Sequence, residues 1–317
     1  MKIAILTGPK EFQFQEEPIP ALMPDEVLVQ VAACGVCTSE LDMWEGKAGN
    51  QMYPRYPGHE VSGVIAERGK DVQGLAPGDR VAVWAPGRGF AEYVVVKSKY
   101  CFPAGNLPLD LALAEPLACA VNTVELANLS LSDDVVIIGA GFMGNLVQKL
   151  VALQGPRRLI VADTRADALE RALNLGATHV VNVAKESLPE AVKALTDGQG
   201  ADVSFEATGV QAPLNLLGDV TRMSGKVVIV GFHQGEPRLI PLGYWNWMAF
   251  QILNAHFREE ATILRGMRIG MRLLISRRLS LEDLVTHRFP LNEIGQAFLA
   301  AHEKPEGFVK STIVMEN

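Results

Sequence analysis

The residues able to do metal chemistry cluster at a few points of the chain. Cys34 and Cys37 stand in C-x-x-C spacing within "CGVCTSELD", no second such pair follows, and Cys101 and Cys119 are isolated. That pattern argues against a four-cysteine site. The other ligand-rich point is His59-Glu60 in "YPGHEVSG", read as a tight turn entering a strand. A catalytic zinc takes about three protein ligands and keeps one position open. Cys37, His59 and a carboxylate would supply sulfur, nitrogen and oxygen, and both Glu60 and Glu115 are candidates for the third place. Glu115 lies in the apolar, helix-like "AEPLACAV", where an unpaired carboxylate would be costly to bury and a metal would account for it. Taken singly, each residue also has a plainer reading: Cys37 as a buried thiol, His59 as a turn histidine, Glu115 as a helix cap.

A second constellation points to a dinucleotide. "VVIIGAGFMG" sets Gly139, Gly141 and Gly144 in G-x-G-x-x-G spacing, with Phe142 and Met143 between, directly after an apolar strand and at the start of a helix. The first glycine permits the tight turn, the second lets backbone approach a pyrophosphate, and the third allows close helix–sheet packing. The next apolar run, "RLIVAD", ends in Asp163, at the spacing where a carboxylate accepts from both adenosine-ribose hydroxyls and repels a 2'-phosphate. NAD is therefore expected over NADP, although Arg165, two residues on, is a residue that could welcome a phosphate. Thr208 and Gly209 in "FEATG", and Gly231 and Phe232 after "GKVVIV", fall at strand ends where a doubly wound sheet presents its ligand crevice.

The elements that must position these residues follow two textures. Residues 1–118 run as short β-rich segments punctuated by Gly and Pro, such as "EVLVQVAA" and "DRVAVWA". Residues 119–257 alternate apolar strands with helical patterns, which implies parallel pairing, right-handed crossovers and a doubly wound sheet. Residues 258–317 bring an Arg-rich helix, a last helix and the short β-like runs "HRFPL" and "FVKSTIV", resuming the first texture. The expected fold class is thus α/β: a mostly-β first domain, discontinuous in sequence, with a Rossmann-type domain inserted. On the Arg-rich helix, Arg265, Arg268 and Arg272 could grip a phosphorylated sugar, although such a stripe is commonly solvated. Clustered Tyr244, Trp245 and Trp247 read as a substrate wall or, preferably, a subunit interface.

At 317 residues the chain is long enough for two cored domains. Net charge is −7, with 29 Lys plus Arg against 36 Asp plus Glu, so a nucleic-acid backbone is not expected as its main partner. No apolar run suggests a membrane span. The opening "MKIAILTGPK" is too short for a signal-peptide core, so the cytoplasm is the expected location, with the four cysteines as thiols or ligands rather than disulfides.

With "CGVCTSE", "GHEVSGVIAERGKDVQGLAPGDRV", "EPLA", "GAGFMG" and "FEATG" in this order, the chain resembles the zinc-dependent medium-chain dehydrogenase/reductase superfamily over nearly its whole length. Gly58, His59, Glu60, Gly63, Gly69, Val72, Gly78, Asp79 and Val81 all stand at that family's spacing. The resemblance implies a GroES-like catalytic domain carrying one zinc and an inserted Rossmann domain carrying the nucleotide. It implies Cys37 and His59 as zinc ligands, Glu60 or Glu115 as an exchangeable third, with Glu115 slightly favoured, and Ser39 as the hydroxyl that passes the alcohol proton outward. Lys310 in "GFVKSTI" matches a basic residue near the pyrophosphate. "EPLA" is similar to the polyol and threonine dehydrogenase branch, which implies secondary alcohols, polyols or sugars as substrates and a homodimer or homotetramer.

Three departures stand out. Glu40 replaces the usual Asp behind the histidine ligand, and Asp42 stands where many members have a relay histidine. "WAPGRGFAEYVVV" joins strands directly where relatives carry a four-cysteine lobe, so no structural zinc is expected. Two other functions fit parts of the pattern: a zinc-free quinone or enone reductase of the same superfamily, and a nucleotide-binding regulator without turnover.

Overall fold

The structure, a computed structural model, describes residues 1–47, 52–233 and 235–315. It divides into two compact units, Met1–Ala118 with Ile263–Asn317, and Cys119–Thr262. The second boundary lies five residues beyond the 257/258 division read from the sequence, within the first turn of the Glu260–Ile275 helix.

The first unit is built on a seven-stranded sheet. Along it lie His287–Pro290, Ser311–Val314, Glu26–Gly35, Glu60–Arg68, Arg80–Trp84 and Cys101–Pro103, and Tyr93–Lys97 also pairs with Glu26–Gly35. The first pair is parallel and the remainder antiparallel. Alternation in "EVLVQVAACG" turns Val27, Val29 and Val31 into a core with Val61, Ile65, Val81, Phe90, Phe298 and Ile313. Each such side chain contributes about 1.5–3 kcal/mol by leaving water. The returning segment thus completes the sheet that the first hundred residues begin: Thr312 pairs with Gly35, and Gly35 with Glu60. That register brings positions far apart in sequence to one level of the sheet.

The second unit is a six-stranded, all-parallel sheet in the order His179–Asn182, Arg158–Asp163, Asp134–Ile138, Ala201–Glu206, Thr221–Ile229, Gln251–Asn254. The order reverses between Asp134–Ile138 and Ala201–Glu206, the switch point at which such sheets bind nucleotides. "DVVII" is buried at every position, as a strand covered by helices on both faces must be. Trp245, read from the sequence as a wall or interface residue, is instead 1% exposed and part of this unit's core, whereas Trp247 is 77% exposed. In the helix Leu242–Trp247 the one buried residue is Trp245, and Leu242, Tyr244 and Trp247 are exposed. Among the described residues no helix is long and apolar enough to cross a membrane.

Candidate functional site

Cys37 ends the run after Glu26–Gly35 and is the N-cap of the Thr38–Trp44 helix, where Glu40 reaches back to accept from the Cys37 backbone N–H at 3.3 Å. The same carboxylate, 3% exposed, accepts from Gly58 N–H at 2.6 Å and lies 2.9 Å from His59 Nδ1. Glu40 therefore does the work expected of the shorter Asp: it fixes the ring of His59 and leaves Nε2 for the site. Burial alone would raise the Glu40 carboxyl, but the His59 charge and the hydrogen bonds from His59, Gly58 and Cys37 prevail and lower it. His59 is raised well above its ordinary value: burial opposes its charge, and the negative Glu40 and Cys37, each also hydrogen-bonded to it, outweigh burial.

Among the described residues, Cys37, His59 and Glu60 form the one group of three whose ligand atoms all lie within 4.8 Å of one another. Glu115, in the first turn of Ala114–Ala127, stands just outside this group, with Oε2 4.0 Å from His59 Nε2, and burial raises its carboxyl. Ser39 Oγ donates to Cys37 Sγ at 3.3 Å. Asp42, on the same helix, is half-buried and raised chiefly by burial.

The donor set suits a divalent zinc: one sulfur, one imidazole nitrogen and one carboxylate oxygen. Glu60 is 1% exposed, and a carboxylate so buried needs a positive partner. Lys310 Nζ lies 2.8 Å from Glu60 Oε1 and 2.7 Å from Oε2, an ion pair with side chains 5% and 1% exposed. The ammonium that the resemblance assigns to a pyrophosphate is thus directed at a carboxylate within the first unit. Lys310 stays charged, since burial opposes its proton but Glu60 and the neighbouring acids more than compensate.

In the second unit the glycine loop joins Asp134–Ile138 to the Phe142–Ala152 helix, with Gly141 as N-cap. Gly139 has φ +105, and a Cβ there would lie 2.6 Å from Thr208 Cγ2. At Gly144 a Cβ would fall 1.8 Å from the Gly139 carbonyl, whereas at Gly141 it would meet nothing within 4 Å. The loop is therefore tight against protein at its ends and open at its middle, the shape that lets a phosphate approach backbone N–H groups at a helix N-terminus. Phe142 and Met143 open the helix. Asp163 ends its strand with both oxygens held, accepting from Ala140 N–H at 2.8 Å and Arg165 N–H at 2.9 Å. Each carboxylate oxygen keeps a second lone pair for a ribose hydroxyl. Arg165 directs its guanidinium at Asp163 (3.9 Å) and Asp167 (3.8 Å).

Thr208 and Gly209 are held by a residue that the sequence reading passed over. Glu206, fully buried at the end of Ala201–Glu206, accepts from Thr208 N–H at 2.6 Å, Gly209 N–H at 2.8 Å and the Thr208 hydroxyl, and its other oxygen lies 2.8 Å from His233 Nε2. Arg238 Nε donates to His233 Nδ1 at 3.2 Å, and His256 Nε2 contacts the Gly231 carbonyl at 3.1 Å. A Cβ at Gly231 would sit 2.2 Å from Gly209 N and 2.6 Å from Glu206 Oε2. The signal was a charged residue ending an otherwise apolar strand in "FEATG". Phe232 is 45% exposed beside these loops. On the Glu260–Ile275 helix, Arg265, Arg268 and Arg272 are exposed to solvent.

Comparison with known proteins agrees with this layout. Residues 23–106 match the alcohol dehydrogenase GroES-like domain, and residues 143–264 the zinc-binding dehydrogenase family. Human sorbitol dehydrogenase is 28% identical over 340 aligned positions, covering 93% of this chain and 90% of that one. The structure of galactitol-1-phosphate dehydrogenase from Escherichia coli superimposes with a TM-score of 0.87 at 25% identity, covering 99% of this chain and all of the other. An alcohol dehydrogenase from Thermus sp. ATN1 gives the same TM-score and identity over the full length of both. With a sulfur–nitrogen–oxygen ligand cluster in one unit and a glycine-loop dinucleotide fold in the other, the chain belongs to the zinc-dependent medium-chain dehydrogenase/reductase superfamily, among its alcohol and polyol dehydrogenases.

Proposed function

We propose that this protein transfers hydride between a secondary alcohol of the polyol or sugar class and NAD, using one zinc per chain held by Cys37, His59 and Glu60. The observation that carries the reading is the convergence of these three ligand types within 4.8 Å, with Glu40 fixing the imidazole from behind. When bound, zinc favours an alkoxide over its alcohol and NAD accepts the hydride. Cys37 contributes its thiolate, His59 its Nε2 lone pair, and Glu60 a carboxylate oxygen. Ser39, whose hydroxyl both donates and accepts, takes the substrate's hydroxyl proton, and Asp42 is the half-buried acidic group three residues on in the same helix. Glu115, near His59 but outside the three-ligand group, serves as a nearby acceptor rather than the standing third ligand.

The cofactor binds over Gly139–Gly144, its ribose hydroxyls on Asp163. NAD is favoured over NADP because Arg165 faces two carboxylates and a 2'-phosphate would meet Asp163. Thr208, Gly209, Gly231 and Phe232 line the nicotinamide end, the first three locked by Glu206 or packed against it. A homodimer fits the exposed edge strand Gln251–Asn254, where Ile252 is 42% exposed and Trp247, four residues before the strand, is 77% exposed. Four free thiols suit a reducing compartment such as the cytoplasm.

The test is zinc content of the purified chain combined with NAD reduction against a panel of polyols, sugars and simple secondary alcohols, with Cys37→Ala as control. About one zinc per chain and turnover lost in the variant are expected. A zinc-free chain that reduces quinones or enones, or one that binds NAD without turnover, would replace this reading.

A further inference from the structure

We infer that Lys310 is a positioning residue for the metal set: paired with Glu60 in the interior, it limits how tightly that carboxylate holds a divalent cation. The inference rests on the reading of Cys37, His59 and Glu60 as ligands given above.

The pair is built by the sheet. Gly35 lies between Thr312 on one neighbouring strand and Glu60 on the other. A Cβ at position 35 would stand 2.1 Å from Glu60 Oε2 and 3.1 Å from Lys310 Cε, so the missing side chain is the opening through which ammonium and carboxylate meet. Lys310 is also anchored by its backbone: its carbonyl accepts from the N–H groups of Thr286 and His287, both at 3.1 Å, and its own N–H donates to Thr286 Oγ1 at 3.4 Å. The ammonium is thereby held in place before any metal arrives, facing both oxygens of Glu60 at 2.7–2.8 Å.

A cation fixed on a ligand carboxylate acts on metal binding in two ways of the same sign. It repels a second cation brought to that carboxylate, and it stabilises the metal-free site by pairing a charge that would otherwise be buried alone. Both weaken the hold on zinc, and both vanish when the ammonium is removed. A role confined to packing has the opposite signature, because a displaced Glu60 binds metal less well.

The experiment compares wild type, Lys310→Met, Lys310→Arg and Glu60→Gln, each purified with zinc bound. It measures the rate of zinc loss to an excess of chromogenic chelator, with the visible spectrum of the cobalt(II)-exchanged forms alongside. Starting from loaded protein keeps the comparison valid where the metal-free variant does not fold, and Lys310→Gln provides a second neutral side chain of similar length. The expected result is zinc release slowed by about tenfold or more in Lys310→Met, the scale on which neighbours of metal ligands act, with Lys310→Arg close to wild type and a cobalt spectrum altered only in the neutral variants. Release that is unchanged or faster in both neutral variants overturns the role of Lys310. Glu60→Gln separates the two levels: faster release there with no slowing in Lys310→Met removes only this inference, whereas no change in Glu60→Gln removes Glu60 as a ligand and the inference with it.

Discussion

At the scale of single residues, Glu40 has the most connected role. One buried carboxylate serves the His59 ring, the Gly58 amide and the Cys37 amide, so its removal strands three donors and frees the imidazole. Glu40→Ala is expected to lower zinc affinity by about 10–100-fold in competition with a chelator, with Glu40→Asp intermediate. The thiols differ as sharply. Burial pushes Cys101 up to about 12 and raises Cys34 well above its ordinary value. Since the thiolate is the nucleophile, iodoacetamide at pH 8 is expected to leave Cys34 and Cys101 unmodified in the folded protein and to label both after denaturation, as read by mass spectrometry. The sign for stability follows from the same shift. A folded-state thiol raised above the unfolded value near 9.0 contributes stability present below that pH and lost as pH rises toward 12.

At the scale of elements, the glycine loop separates folding from binding within a few residues. Gly144 abuts the Gly139 carbonyl and Gly141 faces open space, so the same substitution should do different things at the two positions. Gly144→Ala forces the helix off the strand end and is expected to destabilise the protein by about 3 kcal/mol, measured by denaturant unfolding. Gly141→Ala should leave the unfolding midpoint unchanged while weakening NADH binding by about tenfold, measured by nicotinamide fluorescence. The helix capped by Cys37 shows a similar economy of position, its N-cap being a proposed metal ligand and its third residue, Glu40, the brace of the His59 ring.

At the scale of the molecule, Gln251–Asn254 is an exposed edge strand, and under the proposed homodimer it is the surface that a second copy covers. Ile252→Lys is expected to shift the protein to a monomer in light scattering coupled to size exclusion, while His179→Lys, at a half-buried position on the opposite edge strand, leaves the mass unchanged. The aromatic cluster shows how such a surface is divided between roles: Trp247 is left outside, and Trp245 fills the core.

Much of this was legible in the amino-acid order because it is local. The glycine triplet, Asp163 after its strand, Cys37 with Glu40 three residues on, and the alternation of strands and helices are short-range patterns, and short-range patterns fix turns, caps and periods. Tertiary structure decided what depends on register between distant strands. It brought Glu60 rather than Glu115 into the three-ligand group, directed Lys310 across Gly35 onto a carboxylate 250 positions away in sequence, and made Glu206 the clamp for two loops. Whether a buried charge finds its partner is settled by which strands lie side by side, and no spacing along the chain states that.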